Sequence, residues 1–188
     1  MPETNKQRQF YAYHRGEILK SDETVFDVAA WMGSDVAVID TGHKRTHLGQ
    51  AFATHHNSSN LADGSNINVQ FETGAVAPHL IMHISGKFDH DFDVLESPST
   101  SAGTAHVAYN KNRTSATTST ITVKTDVTIS ADGTNIAQNV VGEGQRMGGA
   151  TDFEQEWILK ASTTYVFRLT SRANSNRVHI NLAWYEPS

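Results

Sequence analysis

From about residue 36 to the end of the chain, apolar and polar residues alternate with a period of two. In "NINVQFE" (66–72), Ile67, Val69 and Phe71 fall on one face and Asn66, Asn68, Gln70 and Glu72 on the other. "HLIMHIS" (79–85) sets Leu80, Met82 and Ile84 against His79, His83 and Ser85. The run "TTSTITVKTDVTIS" (117–130) and the final "RVHINLAWYE" repeat the pattern, the latter with Val178, Ile180, Leu182 and Trp184 inward. Such alternation predicts half-buried antiparallel strands. Shorter segments, "VAVID" (36–40), "QAFATHH" (50–56), "AHVAYN" (105–110) and "NIAQNVV", add to the set, with "ADGS" and "ADGT" as turns. About ten strands at such spacing predict an all-β antiparallel sandwich or barrel. No strand–helix alternation suggests a doubly wound sheet. One compact domain over 41–188 is expected.

Residues 1–40 read differently. They mix charge with aromatics and lack clean alternation. Ser21 or Asp22 could cap a short helix over 22–32, ended by Gly33. The segment reads as an N-terminal arm lying on its own domain or on a neighbour, or as an extra edge element of the same domain.

The stretch "SGKFDHDFDVLESP" (85–98) places Asp89, His90, Asp91, Asp93 and Glu96 close together. Alternate aspartates resemble the start of an EF-hand loop, but that loop needs Gly at its sixth position and Glu at its twelfth. Val94 and Thr100 stand there instead. The expected structure is therefore a strand with Phe92 and Val94 inward and its acidic groups in water, closed by Ser97–Pro98. Leu95 breaks the phase, and requires either a bulge or a second buried face.

The charge balance of −5 argues against a general affinity for nucleic acid, which needs a basic surface. With no cysteine, disulfides, thiolate metal sites and cysteine nucleophiles are excluded. The polar N-terminus has no apolar core of a secretory signal, and no stretch approaches the ~20 apolar residues that cross a bilayer. The chain thus reads as soluble, with no membrane partner.

Ten histidines invite a search for a metal site. "HKRTH" gives His43 and His47 helical spacing, but lacks the glutamate of a zinc helix; in a strand or loop the two would not converge. His55 and His56 are neighbours, so on a strand they point to opposite faces. No two-His-one-carboxylate set emerges, and no metal or cofactor is assigned. "GEGQRMGG" (142–149) fails the phosphate-loop patterns and reads as a hairpin tip that could fit a partner. No GxSxG occurs, and no catalytic residue is assigned; Trp157 and Trp184 read as core.

Several segments carry a resemblance: "IDTGHKRTHLGQAF", "HLIMHISG", "FDVLESPSTSAGTAHVAYNKNR", "EWILKASTTYVFRLTSR" and the closing "WYE". Together, over roughly 38–186, they resemble virion structural proteins of tailed bacteriophages, of the accessory capsid or head decoration type. The resemblance implies a jelly-roll-like sandwich and a non-enzymatic role. It further implies binding to the major capsid protein, self-association as a trimer or dimer, and a place on the capsid surface after assembly in the bacterial cytoplasm. Phe10, Tyr11, Tyr13 and Trp31 in the arm are the expected partner-binding anchors. A receptor- or carbohydrate-binding module of a head fibre or tail is the alternative.

Overall fold

The structure, a computed structural model, describes residues 41–141 and 150–187. The proposed arm, its helix over 22–32, the strand over 36–40, the four aromatic anchors and the glycine-rich tip over 142–149 lie outside the described residues.

Among the described residues, one short helix, α1 (Thr41–His47), precedes the strands. Four strands then lead away: β1 (Ala51–Leu61), β2 (Asn66–Glu72), β3 (His79–Gly86) and β4 (His90–Glu96). Four return: β10 (Thr134–Val141), β11 (Ala150–Ile158), β12 (Thr164–Ser171) and β13 (Asn176–Tyr185). Outgoing and returning strands pair antiparallel one to one, β1 with β13, β2 with β12, β3 with β11 and β4 with β10. The result is a long two-stranded ribbon, rolled so that successive strands enter alternate sheets. The first sheet runs β11-β3-β13-β1-β7 and the second β10-β4-β12-β2-β8-β6. This strand order is a jelly roll, an all-β antiparallel sandwich.

Between β4 and β10, at the ribbon's tip, an insertion carries β5 (Ser99–Ser101), β6 (Thr104–His106), β7 (Tyr109–Asn110), β8 (Thr122–Thr125) and β9 (Thr128–Ala131). β7 pairs with β1, and β8 with β2, so the insertion lies along one edge of each sheet. Open edges invite pairing with other chains, and the insertion shields part of one edge of each sheet. Glu186 ties the insertion to the end of β13. Its buried carboxylate accepts hydrogen bonds from the Thr120 amide at 3.0 Å, the Thr120 hydroxyl at 2.7 Å, the Ser119 hydroxyl at 2.5 Å and the Trp184 indole at 3.0 Å.

The main core is what the alternation predicts. Phe52, Phe71, Phe92, Phe167 and Trp184 are among its fully buried side chains, with Phe71 edge-on to Trp184 at 4.9 Å between ring centroids. A second, smaller core forms on the far side of the second sheet. Leu95 and Val166 point outward there and are buried under Val127 and Ile129 of the β5–β9 flap. Leu95 therefore breaks the alternation because it has a second buried face, one of the two outcomes its phase required.

The predicted single run over 117–130 divides instead. Asp126 takes a positive φ of 55° between β8 and β9. Val123 faces the main core, and Val127 faces the second one. Phe88 has the same parity as the inward Phe92 and Val94, yet it is exposed, in the β3–β4 turn.

Candidate functional site

The acidic stretch is not on a wet face, as its alternation led us to expect. β4 is an interior strand between β10 and β12, and Asp91 and Asp93 are 9% and 6% exposed. Register explains how buried carboxylates are tolerated, since a buried charge must be paired and hydrogen-bonded. Asp93 lies directly opposite Arg168 of β12. The Arg168 Nε and Nη2 groups donate to Asp93 Oδ2 at 3.2 and 3.1 Å, and Asn135 donates to Oδ1 at 2.9 Å. The same guanidinium reaches Asp132 with Nη1 at 2.8 Å and Nη2 at 3.1 Å. Burial alone would lower the Arg168 pKa; the hydrogen bonds to Asp132 and Asp93 outweigh it and hold the group above its ordinary value.

Asp91 is gripped by Arg172, whose Nε donates at 2.7 Å and whose Nη2 makes a second short contact. Glu96 accepts from Lys160 at 2.7 Å and from the Tyr165 hydroxyl at 3.0 Å. The Lys160 hydrogen bond is the main reason that Glu96 titrates below its ordinary value. Burial, with Glu96 beside it, raises Tyr165. Each of these carboxylates is thus consumed by a cation. The set is an ion-pair ladder in which Arg168 pairs across from β12 to β4, while Lys160 and Arg172 fasten β4 from just outside the two ends of β12.

The histidines separate into local pairs. α1 is a helix, so His43 and His47 do converge, with their Nε2 atoms 2.9 Å apart, contrary to what a strand or loop would give. His79 Nδ1 sits 2.5 Å from Glu156 and stacks on Tyr185. His56 meets Asp126 at 2.8 Å. His55 lies 6.1 Å from both His106 and His179 between ring centroids. Among the described residues no three histidine, aspartate or glutamate side chains are grouped to hold a metal ion.

A different corner brings polar groups together without neutralising them. On the outer face of the first sheet, Ser85 of β3 lies opposite His179 of β13. One step on, the Lys87 amide donates to the Arg177 carbonyl at 2.8 Å, which sets those two residues side by side. Ser85, Gly86, Lys87, Arg177, Val178 and His179 line a depression of about 500 Å³. Lys87 lies over the exposed Phe88 ring at 4.6 Å. Neither Lys87 nor Arg177 has an ion-pair partner among the described residues. Burial, and then the charge of nearby His55, lower His179 below the ordinary histidine value.

The floor of this depression is built on a buried polar node. Asn176, with no exposed surface, donates to the carbonyls of Phe88 at 3.2 Å and Asp89 at 3.1 Å and to Ser171 at 3.0 Å. Its Oδ1 accepts from the Phe88 amide at 2.9 Å. The buried His90 Nδ1 lies 2.8 Å from the same Phe88 carbonyl. The His90 ring packs so close under Gly86 that a Cβ there would come within 2.4 Å of it. Only glycine lets the β3–β4 turn close over that ring. Sequence reading missed this corner because its members are single polar residues on two strands far apart in the chain. The one available signal was that Arg177 and His179 share parity at the start of β13.

Comparison with protein-family models, with curated proteins and with solved structures found no match to this chain.

Proposed function

We propose that the chain is a structural virion protein that decorates or cements the head of a tailed bacteriophage by binding the assembled lattice of its major capsid protein. The observation that carries this reading is where the resembling motifs lie. "FDVLES" is β4, "EWILKASTTYVFRLTSR" spans β11 and β12, and "WYE" ends β13. These segments supply Asp93, Glu96, Lys160, Tyr165, Arg168, Arg172, Trp184 and Glu186, groups that lock the jelly roll together. The likeness to accessory capsid proteins is thus a likeness in the scaffold. Fold alone does not fix function, so the motifs add what the topology lacks.

Stabilisation then follows from mass action. A protein that binds the assembled shell, and not free subunits, adds its binding energy to the shell. An interface of ~1,600 Å² suffices when a few aromatic anchors carry it. Phe10, Tyr11, Tyr13 and Trp31 fill that role in this reading. Trimeric or dimeric self-association would match a symmetry axis of the lattice and close without runaway growth. The role requires no catalytic group and no cofactor.

Co-sedimentation with emptied heads of the phage encoding this chain, against unassembled capsid protein, tests the proposal. Saturable binding to heads alone is the expected result. Equal binding to free subunits, or none to heads, refutes it.

A further inference from the structure

We propose that the corner of the first sheet formed by Ser85, Lys87, Arg177 and His179 is a binding site for an acidic sugar, a hexose carrying a carboxylate or phosphate group. This inference does not rest on the capsid reading, and either can stand without the other.

Charge is the first argument. The chain carries a net −5, yet two cations line this depression and neither is ion-paired among the described residues. The three cations of the second sheet's ladder, Lys160, Arg168 and Arg172, are all satisfied internally. Arg177 offers the planar fork that suits a carboxylate or phosphate, and Lys87 adds a mobile point charge beside it.

The neighbouring polar groups are the second. Ser85 and His179 stand one row along the same face, and Asn57 of β1 lies opposite His179. A hydroxyl, an imidazole and an amide beside two cations form the mixed donor–acceptor set that sugar hydroxyls take. Its depression of about 500 Å³ falls within the range of small-molecule sites. Of the carboxylates on the strands of this face, Glu156 is held by His79, and Asp152 of β11 is in register with His83 rather than with Ser85.

Rigidity is the third. Lys87 lies in a turn whose backbone Asn176 and His90 hold from below, and whose Gly86 admits no side chain. A ligand therefore meets a backbone already in place, and less ordering entropy opposes binding.

Titration calorimetry of the full chain with glucuronate, glucose 6-phosphate, glucose and inorganic phosphate tests the assignment. At least one acidic sugar should bind, with glucose at least tenfold weaker; which one binds distinguishes carboxylate from phosphate. Arg177→Gln and Lys87→Gln should each weaken that binding about tenfold or more, with thermal melts unchanged. Lys124→Gln, which removes a cation elsewhere on the sandwich, should leave it intact. Binding of neither acidic sugar overturns the proposal. So does glucose binding as well as they do, inorganic phosphate matching the sugar phosphate with no glucuronate binding (an adventitious ion only), or Lys124→Gln weakening binding as much as Arg177→Gln.

Discussion

The two outer faces of this sandwich use charge in opposite ways. Behind the second sheet, Asp91 and Asp93 are matched to Arg172 and Arg168, and a flap buries Leu95 and Val166 beside them. On the first sheet's outer face, Lys87 and Arg177 stand beside Ser85 and His179 with no ion-pair partner for either among the described residues. Charges neutralised from within can hold a fold but have little left to offer a ligand. Those left unmatched on a rigid floor contribute little to stability and remain available for recognition. The lesson reverses a simple reading of composition: the most conspicuous acidic cluster belongs to the scaffold, and two scattered cations form the candidate site.

Substitutions can break that contrast directly. Arg168→Ala leaves Asp93 buried beside a missing partner, and should cost about 3 kcal/mol in chemical denaturation, since one-sided loss of such a pair is strongly destabilising. Arg177→Gln on the opposite face should stay within about 0.5 kcal/mol of the parent. Equal costs would erase the distinction between the faces.

Leu95→Ala should cost about 2–4 kcal/mol, because it opens a cavity in the small second core. It should also expose the 97–133 insertion to limited proteolysis, which a main-core change of similar cost would not do selectively. A smaller loss, about 1–3 kcal/mol, is expected for Gly86→Ala, where the new methyl meets the His90 ring. Melting temperatures matching the parent would show that the turn has room that its geometry denies.

The smallest effect is a pH slope. Burial depresses His179 in the folded state, with His55 adding to the shift. Below the ordinary histidine value of about 6.5, the unfolded chain therefore binds more protons than the folded one. This contribution to stability is complete above that value and declines as pH falls toward the folded pKa. His179→Asn should flatten denaturant midpoints between neutral and mildly acidic pH. An unchanged slope would place the titrating group elsewhere.

How much of this was legible in sequence differs between the two faces as well. The main core was readable because its inward residues alternate along each strand by themselves. Even the second core left one trace, since Leu95 breaks its local phase; Val127 keeps the phase of its run, which gave no sign of the turn at Asp126. The state of Asp93 and Asp91 was not readable: their partners Arg168 and Arg172 lie 75 and 81 residues away, and strand register alone brings them together. Alternation identifies a polar face but cannot say whether a flap and a facing strand will remove that face from water. Nor could it show that α1 would turn His43 and His47 toward each other. Arg177 and His179 showed only a shared parity, because their neighbours Ser85 and Lys87 come from β3 and the turn that follows it.

The claim on which the functional account rests is attachment to an assembled head. Under the proposed decoration role, a reconstruction of phage heads assembled in the presence of this chain tests it most directly. The account predicts jelly-roll density on the capsid lattice in symmetric copies, its aromatic N-terminal segment seated on capsid protein. Heads bare of that density, with the chain found only at the tail tip or absent from the particle, would contradict it.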